Sequence, residues 1–177
     1  MNYADIKRID VANGPGIRVS LFVSGCTHHC KGCFNKETWD FNYGKPFTQN
    51  EIDEIMEYVS PNHIKGLSLL GGEPFEFSNQ QGLLPLLRTF KQSFPNKSIW
   101  CYTGYEFEKD IKEKMMVMWP ETVEFISYID ILVDGKFIEE QKDLKLRFRG
   151  SANQRIIDIK KSLEAGETIL WEEKGYI

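Results

Sequence analysis

Four short runs rich in apolar, β-branched and aromatic residues recur along this chain, with helical sequence between them. They are Ile17–Ser24, Leu67–Leu70 (beginning near Lys65), Ser98–Tyr102 and Tyr128–Val133, and each reads as a strand. Their ends fall near residues 24, 70, 102 and 133, so successive steps are 46, 32 and 31 residues. One strand–helix unit takes roughly 30 residues, so two steps fit a single unit each and the first carries an insertion. This alternation confines the chain to an α/β class with a parallel sheet and right-handed crossovers. The length suits one domain over residues 1–177, large enough to bury about 70% of the surface its unfolded chain exposes. The insertion, residues 25–45, is a loop that follows the first core strand.

The helices between the strands have their own signals. Thr48 followed by Glu51 predicts a capping box, opening a helix that runs to about Val59. Ile52, Ile55, Met56 and Val59 then share one face. Leu83, Leu84, Leu87 and Phe90 or Lys91 repeat that pattern ahead of Phe94-Pro95. A third helix is expected from Glu106 to Met118, with Ile111, Met115 and Met118 as its apolar face.

Each strand leads straight into an unusual sequence. The first runs into Gly25-Cys26-Thr27-His28-His29-Cys30-Lys31-Gly32-Cys33 and the second into Gly71-Gly72-Glu73-Pro74. The third runs into Thr103-Gly104-Tyr105 and the fourth into Asp134-Gly135-Lys136. In parallel α/β folds the site forms at the carboxyl ends of the strands, so these four segments are expected to converge on one edge.

Chemistry concentrates in the insertion. Cys26, Cys30 and Cys33 place three thiols within eight residues, and the fourth cysteine, Cys101, lies far away inside a strand. Three thiolates leave one iron of a [4Fe–4S] cubane open to a further ligand. The competing reading is a structural Cys3His zinc site that uses His28 or His29. Both histidines lie inside the loop itself, where four ligands would be cramped, and no second cysteine knuckle is present, so the cluster is favoured. Cys101 reads as a small buried core thiol.

Four cysteines among 177 residues are too sparse for a disulfide scaffold. The first ten residues, MNYADIKRID, carry no signal-peptide core, and no apolar run approaches the ~18 residues of a membrane span. A cytoplasmic protein without a membrane partner is expected. The net charge of −4 is not the basic footprint of a nucleic-acid binder.

The Gly71-Gly72-Glu73-Pro74 turn offers close backbone approach and a carboxylate, which suits a zwitterion such as an amino acid, although on its own it reads as an ordinary strand-to-loop turn. Asp134 suits ribose hydroxyls and Lys136 a carboxylate or a partner acid, but on their own both read as a solvated loop pair. Asn13-Gly14-Pro15-Gly16-Ile17-Arg18 reads, on its own, as a turn entering a strand, and the run Arg147–Arg155 as a docking surface or anion contact about as readily as a solvated turn beside a final strand. Trp39, Trp100 and Trp119 read as core or rim aromatics, and His63 as a surface or capping histidine.

Taken together these segments resemble a known family. CTHHCKGC resembles the CxxxCxxC loop of the radical S-adenosylmethionine superfamily, and GGEP resembles that superfamily's turn for the methionine amino group. NGPGIR is similar to the (D/N)GPGIR segment of the glycyl-radical-enzyme activases. SIWCYTGY, DGKF and RGSANQR resemble the branch of those activases that serves anaerobic ribonucleoside-triphosphate reductase. The resemblance covers nearly the whole chain.

The resemblance implies a single radical-S-adenosylmethionine domain with a partial, open βα barrel and a mostly parallel sheet, because larger activases continue through two more βα units. It implies that Cys26, Cys30 and Cys33 ligate one [4Fe–4S] cluster within the 25–45 loop. Gly32, Cys33, Phe34 and Asn35 would line S-adenosylmethionine, with Asn35 near its methionine carboxylate. Gly71, Gly72 and Glu73, with Pro74, would hold the methionine amine. Thr103, Asp134 and Lys136 fall where larger activases touch the cofactor. The implied activity is that of an oxidoreductase: reductive cleavage of S-adenosylmethionine to place a radical on a glycine of anaerobic ribonucleoside-triphosphate reductase. A flavodoxin or similar donor would supply the electron. Two alternatives stand beside it, a small radical enzyme acting on a free metabolite and a Cys3His zinc-binding interaction module.

Overall fold

Alternation of side chains in the central strands separates two faces before any helix is placed. The computed structural model describes residues 1–174 of the chain, so the last three residues of the expected 1–177 domain lie outside the described part. The strands are β1 (Asn2–Asp10), β2 (Ile17–Val23), β3 (Lys45–Pro46), β4 (Ile64–Gly71), β5 (Ser98–Tyr102), β6 (Ile131–Asp134) and β7 (Arg155–Asp158). The helices are α1 (Gln49–Val59), α2 (Phe77–Ser93), a π-helix (Phe107–Met115) continued by α3 (Met116–Met118), α4 (Pro120–Tyr128) and α5 (Ile159–Ala165). Val19, Leu21 and Val23 of β2 face the helices together with Leu67 and Leu69 of β4 and Ile99 and Cys101 of β5. Trp100, Ile131 and Val133 point to the opposite face, where Tyr102, Phe148, Ile156 and Trp171 pack on them. This is the period-two pattern of a sheet covered on both sides.

The strands lie in the order β3-β1-β2-β4-β5-β6-β7. β2, β4, β5 and β6 are mutually parallel, and β1, β3 and β7 pair antiparallel at the two edges. The sheet is therefore α/β, mixed and open, with its parallel part in the middle. The antiparallel first strand went unread in the sequence. Its residues are mostly half-buried or exposed, so no apolar run marks it.

The capping box forms as read. The Thr48 side chain accepts from Asn50 N–H (3.3 Å), and the Glu51 carboxylate accepts from Thr48 N–H (2.6 Å). Ile52, Ile55 and Val59 are buried on the inner face of α1, and burial of each such side chain contributes about 1.5–3 kcal/mol. In α2, Leu83, Leu84, Leu87 and Phe90 enter the core, while Lys91 turns aside to Asp130 (2.6 Å). Two boundaries differ from expectation. Tyr128 ends α4 rather than opening a strand, because Pro120 at the first helical turn nucleates a helix there. Met118 is 60% exposed and is no part of the buried face. In the π-helix the Ile111 N–H reaches back five residues to Glu106 O, so the buried stripe becomes Phe107, Ile111 and Met115.

A guanidinium is buried on the face away from the helices. Arg18 is 1% exposed and donates to Ser68 Oγ (2.8 Å), Ser98 Oγ (3.0 Å) and the carbonyls of Leu67 and Ser98. Its guanidinium lies 5.8 Å from the Trp100 ring centre. Among the described residues, no helix is long and apolar enough to cross a membrane.

Candidate active site

The carboxyl ends of β2, β4, β5 and β6 meet around a cavity of about 490 Å³, within the range of small-molecule sites. Cys26, Cys30 and Cys33 border it, as do Phe34 and Asn35 of the same loop. Gly71, Gly72 and Glu73 border it from β4, and Thr103 and Gly104 from β5. Pro74 is buried under the turn, and Gly32 packs beside Glu139; neither lines the cavity. Asp134 and Lys136 do not line it either.

Asp134 has another task. It is buried, and Arg155 donates to it from Nε (3.0 Å) and Nη2 (2.6 Å) while Phe107 N–H donates to Oδ2 (2.9 Å). Lys136 is exposed, and its charge lies near the Cys30 thiol.

Asn35 N–H donates to Cys33 Sγ (3.4 Å), and the backbone N–H groups of His28 and His29 favour the Cys26 thiolate as that of Phe137 favours the Cys30 thiolate. Hydrogen bonds of this kind stabilise thiolates around an iron–sulfur cluster and tune its potential. Burial pushes the Cys26 thiol up to about 11 and raises that of Cys30. These thiols hold their protons until a metal displaces them. Three thiols from one loop, with a backbone donor on Cys33 Sγ and a cavity beside them, fit a cluster with an open position.

The histidines are engaged elsewhere. His28 Nε2 lies 2.8 Å from Glu73 Oε2, and its ring meets Tyr105 edge-on at 4.4 Å. The His29 ring lies flat on Trp39, 4.4 Å between centres. Among the described residues, no three His, Cys, Asp or Glu side chains converge on a single-ion site. With His28 spent on Glu73 and His29 stacked on Trp39, the zinc reading is not favoured. Cys101 faces the helix core, away from the cavity, and burial raises its thiol well above the usual range. His63 is exposed, as expected.

The turn after β4 is held from several sides. Gly71 adopts φ +104°, and a Cβ there would sit 2.7 Å from Val23 N and O. Glycine is needed because two strand ends touch at this point. Glu73 is buried and accepts from Phe75 N–H (2.9 Å), Thr103 Oγ–H (2.8 Å) and Gly104 N–H (2.7 Å). Glu76 accepts from Thr27 N–H (2.9 Å) and Oγ–H (2.6 Å). Asn79 Nδ2 donates to the carbonyls of Ser24 and Glu73 (both 3.0 Å). Glu76 and Asn79 were missed in the sequence. Their only signal is the three-residue spacing Glu73, Glu76, Asn79 through the turn into the start of α2.

Residues 12–157 match a family model described as a 4Fe-4S single cluster domain. The chain is 46% identical over 158 residues to the anaerobic ribonucleoside-triphosphate reductase-activating protein of Vibrio cholerae serotype O1, covering 88% of this chain and 97% of that protein. It is 42% identical over 156 residues to the protein of the same description from Enterobacteria phage T4, covering 88% and 93%. The corresponding Escherichia coli K12 protein is also 42% identical over 156 residues, with coverage of 87% and 96%.

Proposed function

This chain belongs to the family of anaerobic ribonucleoside-triphosphate reductase-activating proteins, and from that membership we propose that it is an activase that generates a glycyl radical on that reductase. The observation that carries the reading is the set of three cysteines on one cavity at the carboxyl edge of the sheet, with the Asn35 N–H on Cys33 Sγ.

Cys26, Cys30 and Cys33 would hold one [4Fe–4S] cluster, which would supply the electron for reductive cleavage of S-adenosylmethionine. The protein's own residues position and exclude. Phe34 and Asn35 line the cofactor, with Asn35 near the methionine carboxylate. The backbone of the Gly71–Pro74 turn takes the methionine amine. Thr103 supports that turn through Glu73, and Lys136 lends positive charge beside Cys30.

The open sheet behaves as a partial βα barrel within a single domain, and a loop of the partner reductase enters from its open side with the target glycine. Reduced flavodoxin or a similar donor supplies the electron. The reducing cytoplasm suits the thiols, and nothing in the charge pattern favours nucleic acid.

Electron paramagnetic resonance tests the reading directly. Anaerobically purified protein should contain about four irons with acid-labile sulfide. Mixed with S-adenosylmethionine, reductant and the reductase, it should produce a glycyl radical signal on the reductase. A colourless protein with one zinc, or cofactor cleavage without any radical on the reductase, overturns it.

A further inference from the structure

The cysteine loop and the glycine-rich turn are separate segments, yet a cofactor that spans both needs them in fixed relation. His28 and Glu73 make the direct side-chain link between them. Glu73 is 1% exposed, and the His28 side chain 6%. A carboxylate offers two oxygens with about four lone-pair sites. Here four donors occupy them. Oε1 takes Phe75 N–H and Thr103 Oγ–H, and Oε2 takes Gly104 N–H and His28 Nε2 at 2.8 Å. Those donors come from three places: the turn itself, the end of β5 and the cysteine loop.

The neighbouring residue repeats the link. Thr27 donates twice to Glu76, three residues after Glu73. Two consecutive loop residues therefore grip two acids on one side of the turn. Close packing holds the histidine in place. A Cβ added to Gly104 would lie 2.6 Å from the His28 ring, and Tyr105 closes the other side. The ring has one seat, between the cysteine loop and the strand ends.

We propose that His28 is a positioning residue: through Glu73 it locks the cysteine loop onto the glycine turn, and so sets where the open corner of the cluster stands relative to the methionine-binding backbone. Glu73 on this account is a strut whose oxygens are already used, not a direct ligand of the methionine amine. The inference rests on the activase reading above and adds a role for a residue outside the ligand set.

The test compares His28→Ala and His28→Gln in the cluster-loaded full chain. Glutamine keeps a donor at the place of Nε2, and alanine removes it. In His28→Ala, iron and sulfide should stay at wild-type content. Amide exchange at Gly104 and across the 26–33 loop should rise at least tenfold, as expected when a hydrogen bond to a charged group is lost. The cofactor concentration for half-maximal cleavage should rise about tenfold. The change in the reduced cluster's resonance spectrum on adding S-adenosylmethionine should weaken. His28→Gln should restore all three. Unchanged exchange and cofactor affinity in His28→Ala overturn the proposal. So does iron loss in both variants alike, which would make His28 a metal ligand. Amide exchange reads the strut whether or not the wild type activates a reductase, so the two readings fail separately.

Discussion

Cys101 and Cys30 carry the same side chain in opposite settings. Cys101 sits on the helix-facing side of β5 among Ile99, Leu69 and Leu132, while Cys30 borders the cavity at the other side of the strand ends. Burial lifts both thiols, but only Cys30 has a place where a metal can take the proton's position. Cys101→Ser should leave iron content near wild type. It should lower stability by about 1–3 kcal/mol, because a hydroxyl then needs a partner in an apolar core. Metal analysis and a denaturant titration check both halves, and loss of iron would move Cys101 into the ligand set. His28 shows the limit of reading single residues. A histidine between cysteines suggests a metal ligand, because its actual partner, Glu73, stands 45 residues away along the chain.

Among the elements, the π-helix departs most from its sequence pattern. Its residues suit an ordinary helix with Met118 on the inner face, but the wider winding brings Phe107 in and leaves Met118 outside. Ties to neighbouring strands accompany that winding. Glu108 accepts from Arg155 Nη1 (2.9 Å) and Nη2 (2.6 Å), and Arg155 also bridges to Asp134 of β6. Thr168 donates to the same glutamate. Arg155 above all holds the Glu108 carboxyl down at about 2. A depressed folded-state value contributes stability that is fully present above the unfolded value, roughly 4.3, and fades as pH falls through about 2. The wild type should therefore lose stability on acidification from about pH 4.5 toward pH 2, and Glu108→Gln should flatten that part of the profile. Thermal melts of both proteins across this range measure it. An identical slope in the two proteins would remove Glu108 from the account.

The whole molecule separates its scaffold from its chemistry. The helix-facing core holds the sheet together, and the cysteines bordering the cavity lie outside that core. Cys30→Ala should therefore leave a folded chain with a melting point near that of the metal-free wild type. It should abolish methionine release from S-adenosylmethionine. Circular dichroism and product analysis read the two outcomes, and retained cleavage would remove Cys30 from the ligand set. The sheet's edges have their own logic. β1 and β7 pair antiparallel, so the parallel centre is flanked on both sides without a further crossover helix.

The cysteine spacing, the α/β alternation and the convergence of four strand ends were all legible along the chain, because ligand spacing and side-chain periodicity are local properties. The edge strand β1 was not, since a half-exposed strand carries no apolar run. Folding alone decided that Asp134 braces Arg155 and that Glu73 spends its oxygens on the loop and β5. Those outcomes are contacts between distant segments, and the packing that selects them exists only once the sheet has assembled.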